Sequence, residues 1–321
     1  MDLRQLRYLV AVVEEGSFTR AAERLHLAQP GISARIRQLE RELGQPLLDR
    51  TGRSVTLTQA GEAVLPYART ALEAVEGVRQ TADSFTGLLR GHVAIGLVSG
   101  ATGGFDVASV LADFHDAHPH VDIALTEDSS ERMLRALRQG ELDIALLGLT
   151  DEEPPPGTAT QIVVDEPLVV AVAAGDPLAA DGNRTGIRLE ELRDRALISL
   201  PRGTGLRGVL ERSCAEAGFR PRVTFEAAAP HLLAQLAARG LGAAVLPAAT
   251  PAAGPALGLH TLRLPPRLRG RIGLTWRAGG PTTPAARALL ARLRASFETT
   301  HDVPGPTGGQ DNKDDQEERS A

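Results

Sequence analysis

The chain has 321 residues, a formal net charge of −5, 42% hydrophobic residues and only 3% aromatic ones. That length exceeds one ordinary domain and fits two or three. No apolar run reaches the roughly eighteen residues of a membrane span, Met1-Asp2-Leu3-Arg4 leads into an amphipathic pattern rather than a signal peptide, and the single cysteine, Cys214, excludes an internal disulfide or a four-cysteine zinc site, so a cytoplasmic chain is expected.

The acidic sum is misleading as a guide to partners. Residues 298–321 carry seven acids against Lys313 and Arg319, which leaves 33 acids and 33 bases in the other 297 residues. Residues 1–60 hold nine arginines against seven acids, a small positive excess.

Residues 3–13 place Leu3, Leu6, Leu9, Val10 and Val13 at helical spacing, and Gly16 stops the pattern. Ser17 caps a second helix with Phe18, Ala21, Ala22 and Leu25 inside. A third follows, with Pro30 in its first turn, Ile32, Ile36, Leu39 and Leu43 on its inner stripe, and Gly44 at its exit. Residues 47–57 read as two short strands around Thr51-Gly52-Arg53, a wing, which completes a winged helix-turn-helix. Thr58 then opens a long helix to about Phe85, in which Val64, Ala68, Ala71, Val75 and Val78 form a heptad seam. The seam predicts dimerisation; packing on its own winged domain is the alternative. Pro66 should bend this helix near Glu62.

From His92 onward short β-branched runs alternate with helices, the pattern of a mainly parallel α/β sheet. Strands are expected at 92–98, 121–126, 142–148, 196–200, 222–226, 242–247 and 271–277, with a long run over 160–174, and helices at about 104–117, 130–139, 205–217, 230–239 and 283–297. Residues 136–147 echo residues 236–247, each a helix, a glycine and a buried strand, which suggests two similar lobes with the chain crossing near 164–170 and returning near 263–271. The polar, acidic end has too little apolar surface to order itself. The divisions are 1–58 for the winged domain, 59–88 for the linker helix, 91–297 for the two-lobed domain and 298–321 for a disordered tail. Lobe I takes about 91–164 and 268–297, and lobe II about 165–267.

On a helical wheel the third helix turns Pro30, Ala34, Arg37, Gln38 and Arg41 outward, with Ser33 and Arg35 on the flanks. That face suits a DNA major groove, with Arg37 on phosphates and Gln29 and Ser33 toward base edges, while Arg53 and Ser54 on the wing reach the backbone or minor groove. A solvated helix face is the bland alternative. Arg53→Ala is expected to weaken binding to every sequence and flatten its salt dependence.

These residues resemble the LysR-type transcriptional regulators. The resemblance rests on Gly16-Ser17-Phe18-Thr19-Arg20-Ala21-Ala22-Glu23-Arg24-Leu25, Gln29-Pro30-Gly31-Ile32-Ser33, Ile36-Arg37-Gln38-Leu39-Glu40 and Arg50-Thr51-Gly52-Arg53-Ser54-Val55-Thr56-Leu57, and more loosely on Gly140-Glu141-Leu142-Asp143-Ile144-Ala145 and Gly240-Leu241-Gly242-Ala243-Ala244-Val245-Leu246-Pro247. It implies a DNA-binding head that includes Gln29, Pro30, Ser33, Ala34, Arg35, Arg37, Arg50, Arg53 and Ser54, a dimerising helix and a two-lobed effector domain like that of periplasmic binding proteins. It also implies homodimers or a homotetramer on promoter DNA, with RNA polymerase as a further partner. Ala34 departs from the basic residue that often follows the serine in this family, which bears on base preference.

Gly203-Thr204-Gly205-Leu206-Arg207-Gly208 is a literal GxGxxG between a strand and a helix, the context of a dinucleotide site, and an enzymatic or dinucleotide-binding domain is the rival reading. The preferred reading is a cleft for a small anionic effector held by Ser99, Thr102, Arg202, Gly203, Thr204 and Arg207. A constitutive DNA-binding protein with a degenerate ligand domain is a third. No cofactor, metal or catalytic group is expected. His115, His118 and His120 with Asp116 read as a solvated turn, Cys214 as a core thiol, Asp143 as structural and the acidic tail as solubilising.

Overall fold

Asp2 and Gln5 set the first helix in place: each side chain accepts the other's backbone N–H, at 2.8 and 2.7 Å, a reciprocal cap on α1 (Leu3–Glu15). Gly16 ends it at φ +58°, where a side chain would be strained. Ser17 caps α2 (Phe18–Arg24), and α3 (Gln29–Leu43) carries its proline in the first turn, where the absent N–H costs nothing. Their inner faces, Leu6, Leu9, Val12, Ala21, Ile32, Ile36 and Leu39, close into one core beneath the wing formed by β1 (Leu48–Asp49) and β2 (Thr56–Leu57). The computed structural model describes residues 1–52, 54–84, 89–98, 106–250, 257–265 and 268–301.

Thr58 accepts the N–H of Gly61 at 3.0 Å and starts α4 (Gln59–Ser84). A Cβ on Gly61 would stand 2.9 Å from a Leu57 methyl and overlap the Leu47 carbonyl, so this glycine is what lets the helix seat on the wing. The helix continues through Pro66 as a single element, and Thr70 Oγ1 donates to the Pro66 carbonyl at 2.9 Å.

Beyond α4 the chain alternates β3 (Gly91–Leu97), α5 (Val107–Ala117), β4 (Val121–Glu127), α6 (Ser130–Gln139), β5 (Ile144–Leu149) and the long β6 (Thr158–Ala173). It goes on through β7 (Leu197–Ser199), α7 (Gly205–Glu216), β8 (Val223–Glu226), α8 (Pro230–Ala238), β9 (Ala243–Pro247), β10 (Leu259–Arg263) and β11 (Arg269–Arg277) to α9 (Pro284–His301). The strands are ordered β4-β3-β5-β11-β6-β9-β7-β8, with β10 also paired to β6. Strand β6 changes partner within its length: Thr158 to Pro167 pairs with β11, and from Leu168 it pairs with β9 and β10. Pro167, which has no N–H to give a ladder, sits at this change.

Two α/β lobes result, joined by β6 going out and β11 coming back. Lobe I buries Val93, Ile95, Phe114, Ile144 and Leu274 beneath Leu289 and Leu293 of α9. Lobe II buries Leu168, Val170, Leu197, Leu210, Val245 and Leu262. Three readings of the sequence need correcting. The sheet, expected to be mainly parallel, is mixed, because every strand pairing made by β6, β10 or β11 is antiparallel while β3–β4, β3–β5, β7–β8 and β7–β9 are parallel. Residues 298–301, assigned to the tail, continue α9, while the rest of the tail lies outside the described residues. Strand β10 had no counterpart among the expected strands, because Leu-His-Thr-Leu-Arg gains its strand character from pairing with the distant Val169–Ala173.

Candidate nucleic-acid interface and interlobe cleft

On α3 the wheel holds for most positions. Ile32, Ile36 and Leu39 are fully buried, and Pro30, Ala34, Arg35, Arg37 and Arg41 are exposed, with Gln29 half-buried. Two positions differ. Leu43, counted on the inner stripe, is exposed at the last turn, and Ser33 is only 8% exposed, so its flank belongs to the packing. The helix has no side-chain cap at Ala28, which leaves the positive end of its dipole open at the face that carries Pro30 and Ala34. Among the described residues no carboxylate comes within ion-pairing distance of Arg35, Arg37 or Arg41. Gln38, half-buried, bonds Glu42 on the same helix at 3.0 Å.

The wing is tied to α3 by a residue the sequence did not single out. One Glu40 oxygen accepts the N–H groups of Leu47 and Leu48 at 3.0 and 3.2 Å, and the other holds Arg50 at 2.7 Å. Arg50 also lies 5.2 Å over the Phe18 ring, so its guanidinium braces the wing from within the head. Ser54 is exposed; Arg53 lies outside the described residues.

The seam on α4 divides. Val64, Ala68 and Ala71 pack on the core of the winged domain, whereas Val75 and Val78 are exposed, Val78 at 71%, together with Tyr67. The same helix is fastened to lobe I: Arg69 pairs with Glu141, and Glu73 receives Arg277 at 2.7 Å and Thr282 at 3.0 Å. Asp143 lies close by, its carboxylate accepting the Ala94 N–H at 2.9 Å, and burial pushes its pKa above the usual carboxylate range despite that bond.

Between the lobes lies a cleft of about 370 Å³. Val98, Ser130, Val164, Glu166, Arg271 and Ile272 face it from lobe I and the connecting strands, and Leu200, Arg202, Thr204 and Leu206 from lobe II. The glycine-rich turn sits at its edge and has a structural task. Gly203 adopts φ +84° and its carbonyl accepts the Glu131 N–H at 3.1 Å, from lobe I to lobe II. A Cβ on Gly205 would lie 2.6 Å from the Gly148 carbonyl oxygen. These glycines therefore allow the lobes to touch, and β5 backbone fills the place at the start of α7 where a pyrophosphate would need to sit; this removes the geometric support for the dinucleotide reading.

The expected effector residues fall in different places. Thr204 and Arg202 line the cleft, although Thr204 Oγ1 donates to the Pro201 carbonyl at 2.8 Å. Arg207 does not line it: its side chain is only 4% exposed and is held by Glu226 at 2.7 Å and Glu211 at 2.9 Å. Ser99 and Thr102 lie outside the described residues. Glu166 and Arg271 were missed, since both sit in strands whose alternation shows faces but not what those faces line.

No group of His, Cys, Asp and Glu among the described residues is arranged to hold a metal ion. His118 packs instead on Phe114 in a tilted arrangement, with ring centroids 4.8 Å apart. Cys214 is buried in lobe II, and burial pushes its thiol pKa up to about 11.

Comparison with known proteins agrees with this architecture. The family profile described as "Bacterial regulatory helix-turn-helix protein, lysR family" matches residues 3–62, and that of the "LysR substrate binding domain" matches residues 86–298. The DNA-binding transcriptional dual regulator OxyR of Escherichia coli K12 is 33% identical over 300 residues, covering 93% of this chain and 96% of that protein. The hydrogen peroxide-inducible genes activator of Dickeya chrysanthemi is 33% identical over 247 residues, covering 77% and 79%. Among solved structures, a full-length OxyR variant from Pseudomonas aeruginosa superposes with a TM-score of 0.68 at 28% identity, covering 93% of this chain and 95% of that one. A winged head, a long linker helix and a two-lobed cleft, with both family profiles matched and these relatives covering 77–93% of the chain, place it in the LysR family of DNA-binding, effector-responsive transcriptional regulators.

Proposed function

We propose that the exposed face of α3 and the wing read promoter DNA while the interlobe cleft takes a small-molecule effector, and that strand β11 carries the state of the cleft to the linker helix. The observation that supports the first part is the contrast on α3 between a buried aliphatic stripe and an exposed face whose arginines have no carboxylate partner among the described residues. Guanidinium groups without an ion-pair partner among the described residues, on a helix whose N-terminus is also uncapped, are what phosphates and base edges bind.

The coupling rests on geometry within one strand. Gly270, Arg271 and Ile272 line the cleft, and Arg277, at the other end of β11, holds Glu73 of α4. A change in lobe angle would move both ends of this strand together, altering the angle at which two heads meet DNA and hence its bend. The exposed Tyr67, Val75 and Val78 supply the apolar surface for a second copy of α4, giving dimers and, on DNA, a dimer of dimers. Contact with RNA polymerase and residence in the cytoplasm belong to the same reading; among the described residues no helix is long and apolar enough to cross a membrane.

The signal we propose is a bound molecule rather than a thiol reaction, even though one relative is named for hydrogen peroxide. Cys214 is the chain's sole cysteine, and with a pKa of about 11 only on the order of one thiol in ten thousand is ionised at pH 7. A mobility-shift titration on the DNA upstream of the gene tests the reading: Arg37→Ala should weaken binding and reduce the slope of log affinity against log salt. An unchanged slope and affinity would reject α3 as the reader.

A further inference from the structure

The sequence pointed to an anionic effector because arginines and a glycine-rich turn flank the cleft. The charges around the cleft argue otherwise. Each arginine that lines it already has a carboxylate within ion-pairing distance: Arg132 has Asp128 at 3.1 Å, Arg202 has Glu211 at 3.4 Å, and Arg271 has Glu152 at 2.6 Å and Asp165 at 3.3 Å, although the buried Arg271 Nε makes no hydrogen bond among the described residues. Asp165 is shared with Arg269, which balances the extra acid. An incoming carboxylate would meet arginines whose charge is already offset by acids, and so would gain little from charge.

Glu166 is different. It lines the same cleft on β6, one residue before the point where that strand passes from lobe I to lobe II. Its carboxylate accepts one hydrogen bond, from the Ala249 N–H at 2.8 Å, and among the described residues no basic side chain comes within ion-pairing distance. Burial raises its pKa, against the pull of the Ala249 N–H and of the more distant Arg269, which is itself paired with Asp165. Around it stand Val98, Val164, Leu200, Leu206 and Ile272, an apolar wall with no charge of its own.

We propose that the effector is a small organic cation, an amine with an apolar body, whose ammonium group pairs with Glu166 while its hydrocarbon part rests on this wall. A cation placed there supplies a direct ion-pair partner and touches the strand at the lobe crossing, so that it bears on the angle between the lobes. The proposal rests on the cleft being the effector site. It names the chemical class that this site takes.

The test uses the full-length protein and three probes of nearly equal size: benzylamine, benzyl alcohol and benzoate. Calorimetry at neutral pH should show that benzylamine binds at least tenfold tighter than either of the others, and that its affinity falls as pH is lowered through the raised pKa of Glu166. Glu166→Gln keeps an oxygen for the Ala249 N–H and should cost benzylamine tenfold or more. Arg292→Ala, which removes a paired charge on α9 away from the cleft, should change its affinity less than threefold. Benzoate binding preferred over benzylamine, an amine affinity indifferent to Glu166→Gln, or no binding of benzylamine at millimolar concentration each overturns the proposal. Retained promoter binding by the Glu166→Gln protein shows that it is folded, and loss of DNA binding by the parent protein would instead reject the regulator reading, so the two failures are distinguishable.

Discussion

The DNA-reading face and the interlobe cleft both display arginines, yet they present opposite chemistry. On α3, Arg35, Arg37 and Arg41 stand in solvent with no carboxylate at ion-pairing distance among the described residues, and the N-terminal end of the helix is uncapped. In the cleft Arg132, Arg202 and Arg271 are each met by an acid, whereas Glu166 has no ion-pair partner among the described residues. Residue type alone therefore does not assign a ligand; what each charge is already paired with does.

Charge reversal at the two regions breaks this contrast most directly. Arg37→Glu should weaken promoter binding about a hundredfold, corresponding to about 3 kcal/mol over a dimer that carries the change twice. Arg202→Glu, at the cleft, should leave it within about twofold by the same measurement, because that arginine faces Glu211 rather than DNA. Equal losses from the two substitutions would mean that overall charge, and not the α3 face, sets the affinity.

Joining the two regions is the clamp on Glu73. Its carboxylate takes both Arg277 and Thr282, so Glu73→Ala should leave promoter affinity nearly intact without effector and bring the effector's influence on it, about 5- to 150-fold in coupled systems, close to one. Promoter titrations with and without a cleft ligand measure this directly, and an unchanged ratio would mean that the signal bypasses β11. A smaller effect is expected at Glu40. Glu40→Ala releases two backbone N–H groups and Arg50 at once, and should weaken promoter binding about tenfold by loosening the wing, with a smaller loss for Glu40→Gln, which can still accept from Leu47.

The head was legible because its signals are local. Gly16 and Gly44 end helices at positive φ, Ser17 caps one, Pro30 starts one, and each acts within a few residues. What the periodicity on α4 could not say was which partner covers which part of the seam: Val64, Ala68 and Ala71 went to the chain's own head, and Val75 and Val78 did not. The cleft was hidden for the same reason on a larger scale. Arg207 looks available in the sequence, and only the fold brings Glu226 against it from across the turn and a neighbouring strand. Glu166 reads as one member of an alternating strand until β6 changes partner beside it.

The smallest expected effect concerns stability, and lies where the linker helix meets lobe I. Asp143 has its pKa raised in the folded protein, first by burial and further by Glu73, against the pull of the Ala94 N–H, Arg277 and His92. Between its unfolded value, about 3.9, and its raised folded value the native state therefore holds more proton at this site than the unfolded chain does. Stability from this group is thus full below the unfolded pKa and declines as pH rises through the folded one, the reverse of a salt-bridged carboxylate. Asp143→Asn keeps an oxygen for the Ala94 N–H, and removes the buried charge. It should raise stability at pH 7 by up to about 1 kcal/mol in urea unfolding and lose that advantage toward pH 4. A destabilised Asn variant at pH 7 would show that the ionised carboxylate is stabilising where it stands, held by Arg277 and His92 more strongly than burial opposes it.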